Sequence, residues 1–214
     1  MKIISFYGFK GCGKDTAAFM ANEFLADYSI PSTRLAFADA LREEVLAAFP
    51  GITMEDLQHR TIKETPHGSL TVDSCLNEGF RKVMINLNSG AGIQGVASPR
   101  QIMQWWGTEY RRAQNPNYWL DRFTERAVQA NVTGDAFLFV TDMRFINEAV
   151  WLNTMGARLV RVVRDAVVPE LLLGLHPSET EQLLISADVD MPNNGTMDDL
   201  RESVSVITGL ELAS

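Results

Sequence analysis

The sequence predicts an α/β protein: a five-stranded parallel sheet with helices on both faces. Three observations carry that expectation. An apolar, β-prone run (Ile3, Ile4, Phe6, Tyr7) meets the glycine-rich stretch Gly8-Phe9-Lys10-Gly11-Cys12-Gly13-Lys14, and a helical pattern follows at once. Strand and helix signals then alternate along the chain, the order that builds parallel sheets. Finally, residues 136–141 (AFLFVT) form an unbroken apolar run, the pattern of a strand buried on both faces.

The first stretch organises the rest. Strand, Gly-x4-Gly-Lys and helix is the layout of a phosphate-binding P-loop. Glycines let backbone N–H groups curl around an anion, and the helix N-terminus adds partial positive charge. Lys14 would reach the β and γ phosphates. Asp15 stands where Ser or Thr usually contacts Mg²⁺, and Thr16 comes one place later.

Each element follows in order. Residues 2–7 read as the first strand and 15–28 as the first helix. Residues 32–38 (STRLAFA) read as a second strand. Asp39 is expected to cap the next helix, with Glu43 near its N3 position and Leu41, Val45, Leu46 and Phe49 at helical spacing. Pro50-Gly51 ends it. A short helix is expected over 53–60, starting at Thr53. Residues 61–75 carry few core positions, 76–87 read as a helix, and 88–98 (NSGAGIQGVAS) as a flexible loop. Residues 51–99 are thus expected to form an inserted lobe over the site of a single domain, 1–214.

Helical signals resume at 99–114, with Ser98 as cap and Pro99 at the first position. Residues 115–117 break that helix and 118–130 form another, with Trp119, Phe123 and Val128 as core. The third strand ends in Asp142. A helix over 145–155 stops at Gly156, and 158–163 is the fourth strand. Residues 167–174 and 178–185 bracket His176-Pro177. A last strand, 187–191, turns through Asn193-Asn194-Gly195 into a closing helix over 197–207.

Composition narrows the function. The net charge is −8, which argues against broad binding to a nucleic-acid backbone. Yet fourteen of the nineteen basic residues are Arg, and nine of these fall between Arg100 and Arg164. Arg grips phosphate through a planar fork. An acidic chain with a local Arg cluster points to a small phosphorylated substrate. No apolar run approaches the ~20 residues of a membrane span, and no signal-peptide pattern is present. The expectation is a soluble, cytoplasmic protein. Cys12 and Cys75 form neither a disulfide framework nor a metal spacing.

Ligands of open α/β sheets sit at the C-terminal ends of the strands. The P-loop, Asp39, and Asp142 with Arg144 are expected there. A carboxylate at Asp142 suits Mg²⁺ or a helix cap. Arg144 suits substrate phosphate, or a pair with Asp142 or Glu148. At α-helical spacing Gln104, Thr108, Arg111 and Arg112 share a face, and Gly107 removes a side chain beside it. Trp105, Trp106 and Trp119 are core or base-stacking residues. Arg164 opens an irregular stretch, 164–178, which reads as a lid. No Gly-x-Ser-x-Gly elbow is present, so a nucleophilic triad is disfavoured.

These motifs in order resemble a family. Gly13-Lys14-Asp15-Thr16, Phe37-Ala38-Asp39-Ala40-Leu41-Arg42, Gln104-x-x-Gly107-Thr108-Glu109 with Arg111-Arg112 and Trp119, Thr141-Asp142-x-Arg144-Phe145-x-Asn147-Glu148-Ala149, and His176-x-Ser178-Glu179 look like the deoxynucleoside monophosphate kinases of tailed bacteriophages. The resemblance implies a three-layer P-loop kinase fold and an ATP:dNMP phosphotransferase using Mg²⁺. It implies ATP binding by Gly11, Cys12, Gly13, Lys14, Asp15 and Thr16, and metal contact by Thr16 and Asp142. It assigns acceptor binding to Lys10, Asp39, Arg42, Lys63, Arg100, Gln104, Gly107, Thr108, Arg111, Arg112, Trp119, Asp142, Arg144 and Asn147. Lys14, Arg144 and Arg164 would be catalytic. It implies no nucleic-acid or membrane partner, and the apolar, Trp-bearing helices are compatible with a homodimer. The competing readings are a dephospho-coenzyme A kinase-like enzyme and an ATP-driven switch or DNA-packaging motor subunit.

Overall fold

The computed structural model describes residues 1–87, 95–165 and 181–209. In chain order the elements are β1 (Lys2–Tyr7), α1 (Lys14–Asp27), β2 (Ser32–Leu35), α2 (Ala38–Ala48), α3 (Met54–Gln58), a 3₁₀ turn (Ile62–Glu64), α4 (Glu78–Leu87) and α5 (Pro99–Gln104). A π-helical segment (Trp105–Arg112) follows, then α6 (Tyr118–Val132), β3 (Phe137–Val140), α7 (Ile146–Thr154), β4 (Arg158–Val163), a 3₁₀ turn (Glu181–Leu184), β5 (Val189–Pro192) and α8 (Met197–Thr208). Two compact units result: Met1–Phe37 with Phe123–Ser214, and Ala38–Arg122. The lobe expected at 51–99 falls inside the second, which begins earlier and ends within α6.

The first unit is built on one sheet, in the order β2-β3-β1-β4-β5, with every pairing parallel. β1 lies at the centre, and five of its six residues are buried. β3 is buried at all four positions, as its continuous apolar run requires. α1 packs Ala17, Ala18 and Ala21, all 0% exposed, against Ile4, Phe6 and Val160 of the sheet. These small side chains bring the helix axis close to the sheet. α8 joins the same core through Leu200 and Val204. It starts at a capping box: Thr196 Oγ1 accepts from Asp199 N–H, and the Asp199 carboxylate accepts from Thr196 N–H at 2.7 Å. Elsewhere in this unit Phe37 stacks on Phe123 with ring centroids 4.1 Å apart, and Phe123 meets Trp151 edge to face at 5.5 Å.

The second unit has its own core, centred on Phe49, Phe80 and Trp106. α3 begins at Thr53, as its sequence predicts, with Asp56 completing a capping box.

Several expectations need correction. β2 ends at Leu35, and Asp39 lies in the first turn of α2 rather than capping it. Residues 61–75 are not poor in core: Leu70, Val72 and Cys75 are all buried, because the irregular chain folds back onto α2 and α4. Val128 is 58% exposed, so the core face of α6 runs through Phe123, Ala127 and Ala130 instead. The single helix expected at 99–114 is α-helical only to Gln104 and π-helical beyond. Residues 88–94 of the expected loop, and most of 164–178, lie outside the described residues.

This division predicts unequal costs for two substitutions. Phe139→Ala, on the doubly buried β3, is expected to destabilise the protein by about 3–5 kcal/mol. Val128→Ala is expected to stay within about 0.5 kcal/mol. Denaturant unfolding followed by circular dichroism checks both.

Candidate active site: a phosphate loop and an arginine-bearing helical unit

The loop leaves β1 at Gly8, whose φ of 147° lies in a region open to glycine. A Cβ there would stand 2.5 Å from the Val162 carbonyl oxygen of β4 and 2.8 Å from Cys12 Sγ. Gly13 ends the loop at φ 98° and forms the N-cap of α1, where a Cβ would collide with the Asn193 side-chain amide. That amide Nδ2 donates to the Cys12 carbonyl at 2.7 Å. Asn193 N–H in turn donates to Val163 O at 2.7 Å, and Asp165 N–H to Asn194 Oδ1 at 2.9 Å. The loop is therefore buttressed by the end of β4 and the turn after β5. In the sequence Asn193 reads as a turn residue, and its side-chain role carries no local signal.

Lys14 opens α1 and is only 8% exposed. Its Nζ stands 3.6 Å from Asp15 Oδ2, but the Asp15 side chain is 74% exposed. Such a pair is weak, so the ammonium can exchange it for a phosphate. Thr16 is half-buried in the first turn of α1. Cys12 is buried and free, and burial pushes its thiol pKa up against the lowering effect of the Lys14 ammonium. A cleft of about 440 Å³ lies against the loop, lined by Gly8, Phe9 and Cys12, by residues 161–165, and by Gln182, Leu183 and Asp190. Arg164 shares this wall with the loop.

Asp142 follows β3. Ser5 aligns with Val140 in the β1–β3 register, so Asp142 comes level with Tyr7, one residue before the loop. Its Oδ1 accepts from Phe37 N–H at 2.7 Å, tying the ends of β2 and β3 together. The N-terminus of α7 is held instead by Glu148, only 2% exposed, whose Oε2 accepts from Arg144 and Phe145 N–H at 2.8 and 3.1 Å. Glu148 thereby fixes the backbone that carries Arg144. Lys10 and Asn147 also belong to this unit.

In the second unit Glu44 of α2 is the organising group. One carboxylate oxygen accepts from Trp106 Nε1 at 2.9 Å and from Arg111 Nε at 2.7 Å, and the other from the Tyr118 hydroxyl. The Arg111 guanidinium also lies over the Tyr110 and Tyr118 rings, 4.7 Å from each centroid. Burial, then the bond to Glu44, pushes the Tyr118 pKa up. Trp119 is 3% exposed and donates from Nε1 to Gly107 O at 3.0 Å. Arg111 and Trp119, both expected to bind the acceptor, are thus also engaged in this unit's own packing. Arg111 already has its carboxylate, and the Trp119 ring lies in the core.

Arg42 Nη1 pairs with Asp39 Oδ1 at 2.7 Å, while its Nε is buried without a hydrogen-bond partner. Arg100 Nε pairs with Glu64 at 2.7 and 2.8 Å, and Arg112 Nη1 donates to Pro116 O at 3.2 Å. Gln104, Thr108 and Lys63 are each half-buried in this unit. The structure therefore gathers the donor-loop residues in one unit and most of the expected acceptor residues in the other.

Taken together, a parallel sheet with a phosphate loop at the tip of its central strand defines the class: an α/β nucleotide-binding protein of the P-loop type. The particular family comes from its sequence. Residues 77–204 match the family model described as deoxynucleotide monophosphate kinase, more than half of the chain, and the chain belongs to that family. It is a phosphotransferase. Among solved structures, TT1252 from Thermus thermophilus is similar, with 16% identity over 97% of this chain and 96% of that one and a TM-score of 0.43. No curated protein matches the chain. Among the described residues no helix is long and apolar enough to cross a membrane.

Two outcomes follow. Gly8→Ala forces a Cβ onto a backbone oxygen at an unfavourable φ. It is expected to cost about 2–3 kcal/mol and to weaken ATP binding, measurable by thermal unfolding and calorimetric titration. Tyr7 and Tyr118 both hold their protons more tightly in the fold than in the unfolded chain, chiefly through burial. Above pH about 10 the unfolded chain loses these protons first, so stability falls as pH rises. Urea midpoints between pH 8 and 11 check the sign.

Proposed function

We propose that the protein transfers the γ-phosphoryl group of ATP to a deoxynucleoside monophosphate, giving ADP and a deoxynucleoside diphosphate. The observation that carries this reading is the loop Gly8–Lys14. It sits between the central strand and α1, clamped by Asn193, in a chain of the deoxynucleotide monophosphate kinase family.

The loop N–H groups and the α1 N-terminus hold the ATP phosphates, and Lys14 neutralises charge on the β and γ groups. An oxygen of the acceptor phosphate attacks the γ phosphorus, and the bond to the β–γ bridging oxygen breaks. ADP leaves with that oxygen and its electron pair. No strong general base is required, because the attacking phosphate is already an anion; positioning and electrostatics supply most of the acceleration. Arg42, with a buried unpartnered N–H, Arg112 and Arg144 bind the acceptor phosphate. Lys10 and Arg164 neutralise charge that develops in transfer.

Thr16 and Asp142 offer the hard oxygen donors that suit Mg²⁺, one Asp142 oxygen being engaged by Phe37 N–H. Among the described residues no group of three or more His, Cys, Asp or Glu is placed to hold an ion. A Mg²⁺ at Thr16 and Asp142 would complete its shell with phosphate oxygens and water, and would supply charge neutralisation there.

The test is a coupled assay of ADP release with each dNMP and NMP. Wild-type protein is expected to release ADP only when an acceptor is present. Lys14→Ala is expected to lower turnover roughly 10²–10³-fold, and Arg144→Ala by a similar factor. Unchanged turnover in Lys14→Ala would sink the reading. DNA-stimulated ATP hydrolysis indifferent to dNMP would point to a motor instead.

A further inference from the structure

The π-helical turn changes which side chains share a face. An α-helix advances about 100° per residue, whereas i→i+5 bonding slows this to about 80°. Counted from Gln104, α-helical spacing groups Thr108, Arg111 and Arg112 with it. The wider turn keeps Thr108 and Arg112 nearby, carries Arg111 to the opposite side and brings Glu109 round in its place.

Two independent observations agree with that reassignment. Arg111 does lie with Trp106 and Tyr110, its guanidinium 5.8 and 4.7 Å from their ring centroids, against Glu44. Glu109 Oε2, by contrast, is buried and accepts no hydrogen bond among the described residues. A buried carboxylate oxygen left without a donor costs free energy comparable to a lost charged hydrogen bond. Buried atoms of this kind call for an explanation, and a ligand that brings the missing donor is one.

Three such side-chain atoms occur among the described residues: Ser5 Oγ, Arg42 Nε and Glu109 Oε2. Ser5 lies inside the sheet. The other two belong to the second unit and have opposite character, one donor and one acceptor. Its α2, which carries Arg42, packs Leu41 beside Gly107 of the π segment. A nucleoside monophosphate is itself two-ended. Its phosphate accepts hydrogen bonds only, which suits Arg42 and repels Glu109. Its nucleoside part carries O–H and N–H donors.

We propose that Glu109 binds the nucleoside part of the acceptor, its buried carboxylate oxygen taking a hydrogen bond from the 3′-hydroxyl or from an N–H on the base edge. This deepens the kinase reading and rests on it. Arg111 forms the rear of the same segment, and its bond to Glu44 of α2 holds that segment in register; Glu109, with Gln104 and Thr108, forms the face the nucleotide meets.

Steady-state kinetics of Glu109→Ala test this. The KM for dNMP is expected to rise roughly 10–100-fold, the loss of one hydrogen bond to a charged group, with the KM for ATP within twofold. The Tm is expected to hold or rise, because an unpartnered buried carboxylate has gone. A structural residue would instead lower Tm and disturb both substrates. Glu109→Gln keeps the volume and one acceptor oxygen, so it is expected to fall between wild type and Ala, and it serves if the Ala variant fails to fold.

Analogues distinguish the two donors. If a 2′,3′-dideoxynucleoside monophosphate costs the wild type tenfold but leaves Glu109→Ala indifferent, the 3′-hydroxyl is the partner. If Glu109→Ala abolishes the preference among bases, the base edge is. An unchanged dNMP KM in Glu109→Ala, or equal losses for both substrates with a falling Tm, overturns the proposal. A wild type that forms no ADP from any dNMP overturns the kinase reading as well, so the two failures are distinguishable.

Discussion

The contact between Gly8 and the Val162 carbonyl governs the first unit. β1 is central and its side chains are buried on both faces, so its path is fixed by β3 on one edge and β4 on the other. At Gly8 the chain must turn while passing a backbone oxygen of β4, and only a residue without Cβ passes. That turn sets where Lys14 enters α1. The same strand end is gripped from β5, because Asn193 reaches across to the Cys12 carbonyl. The loop backbone is thus held by rigid neighbours on the β4 side. Such pre-organisation matters because an anion site that had to be ordered on binding would forfeit part of its affinity to entropy.

A different device orders the second unit. Among its described residues there is no strand, and its helices are short, so packing alone would leave the register of the π segment loosely defined. One carboxylate supplies the missing specification. Glu44 takes hydrogen bonds from an indole, a guanidinium and a phenol on two other elements. A partly buried charge with three donors is satisfied only in one arrangement, since displacing any donor leaves desolvated polar groups. Trp119 adds a bond to the Gly107 carbonyl inside the widened turn. Gly107 itself is not demanded by sterics, for a Cβ there would meet only Leu41 and Trp119 at ordinary distances.

Much of the first unit was legible because its elements obey one rule each. The continuous apolar run of β3, the bounds of β4 and the loop between β1 and α1 all follow from local pattern. The strand order was not legible beyond its being parallel, since no local signal says that β1 is flanked by β3 and β4. Residues 61–75 misled for another reason. Leu70, Val72 and Cys75 are buried from irregular backbone, where hydrophobic residues keep no period to be recognised. At the start of α7 two carboxylates six positions apart could reach the free N–H groups: Glu148 takes Arg144 and Phe145 N–H, while Asp142 takes Phe37 N–H, and no local pattern separates the two outcomes.

The arginines show most clearly what sequence alone could not settle. A fork that suits phosphate equally suits a carboxylate, so composition identifies a capacity and not a partner. In the structure Arg111 is spent on Glu44 and Arg161 on Asp190 across β4 and β5, where the register sets the two opposite each other. Arg161 and Asp190 are about half exposed and would exchange partners at little cost. Arg111 could not: drawing it to a phosphate would strand the Glu44 carboxylate with a neutral indole and phenol and unstack it from two rings. Arg42 stands in the opposite position, since its Nε–H is already desolvated and unbonded in the free protein. Binding an anion there adds a charge-assisted bond without paying a new desolvation cost for the donor. Within the second unit Arg42, two places before the carboxylate that holds that unit together, is therefore better placed than Arg111 to take an anion.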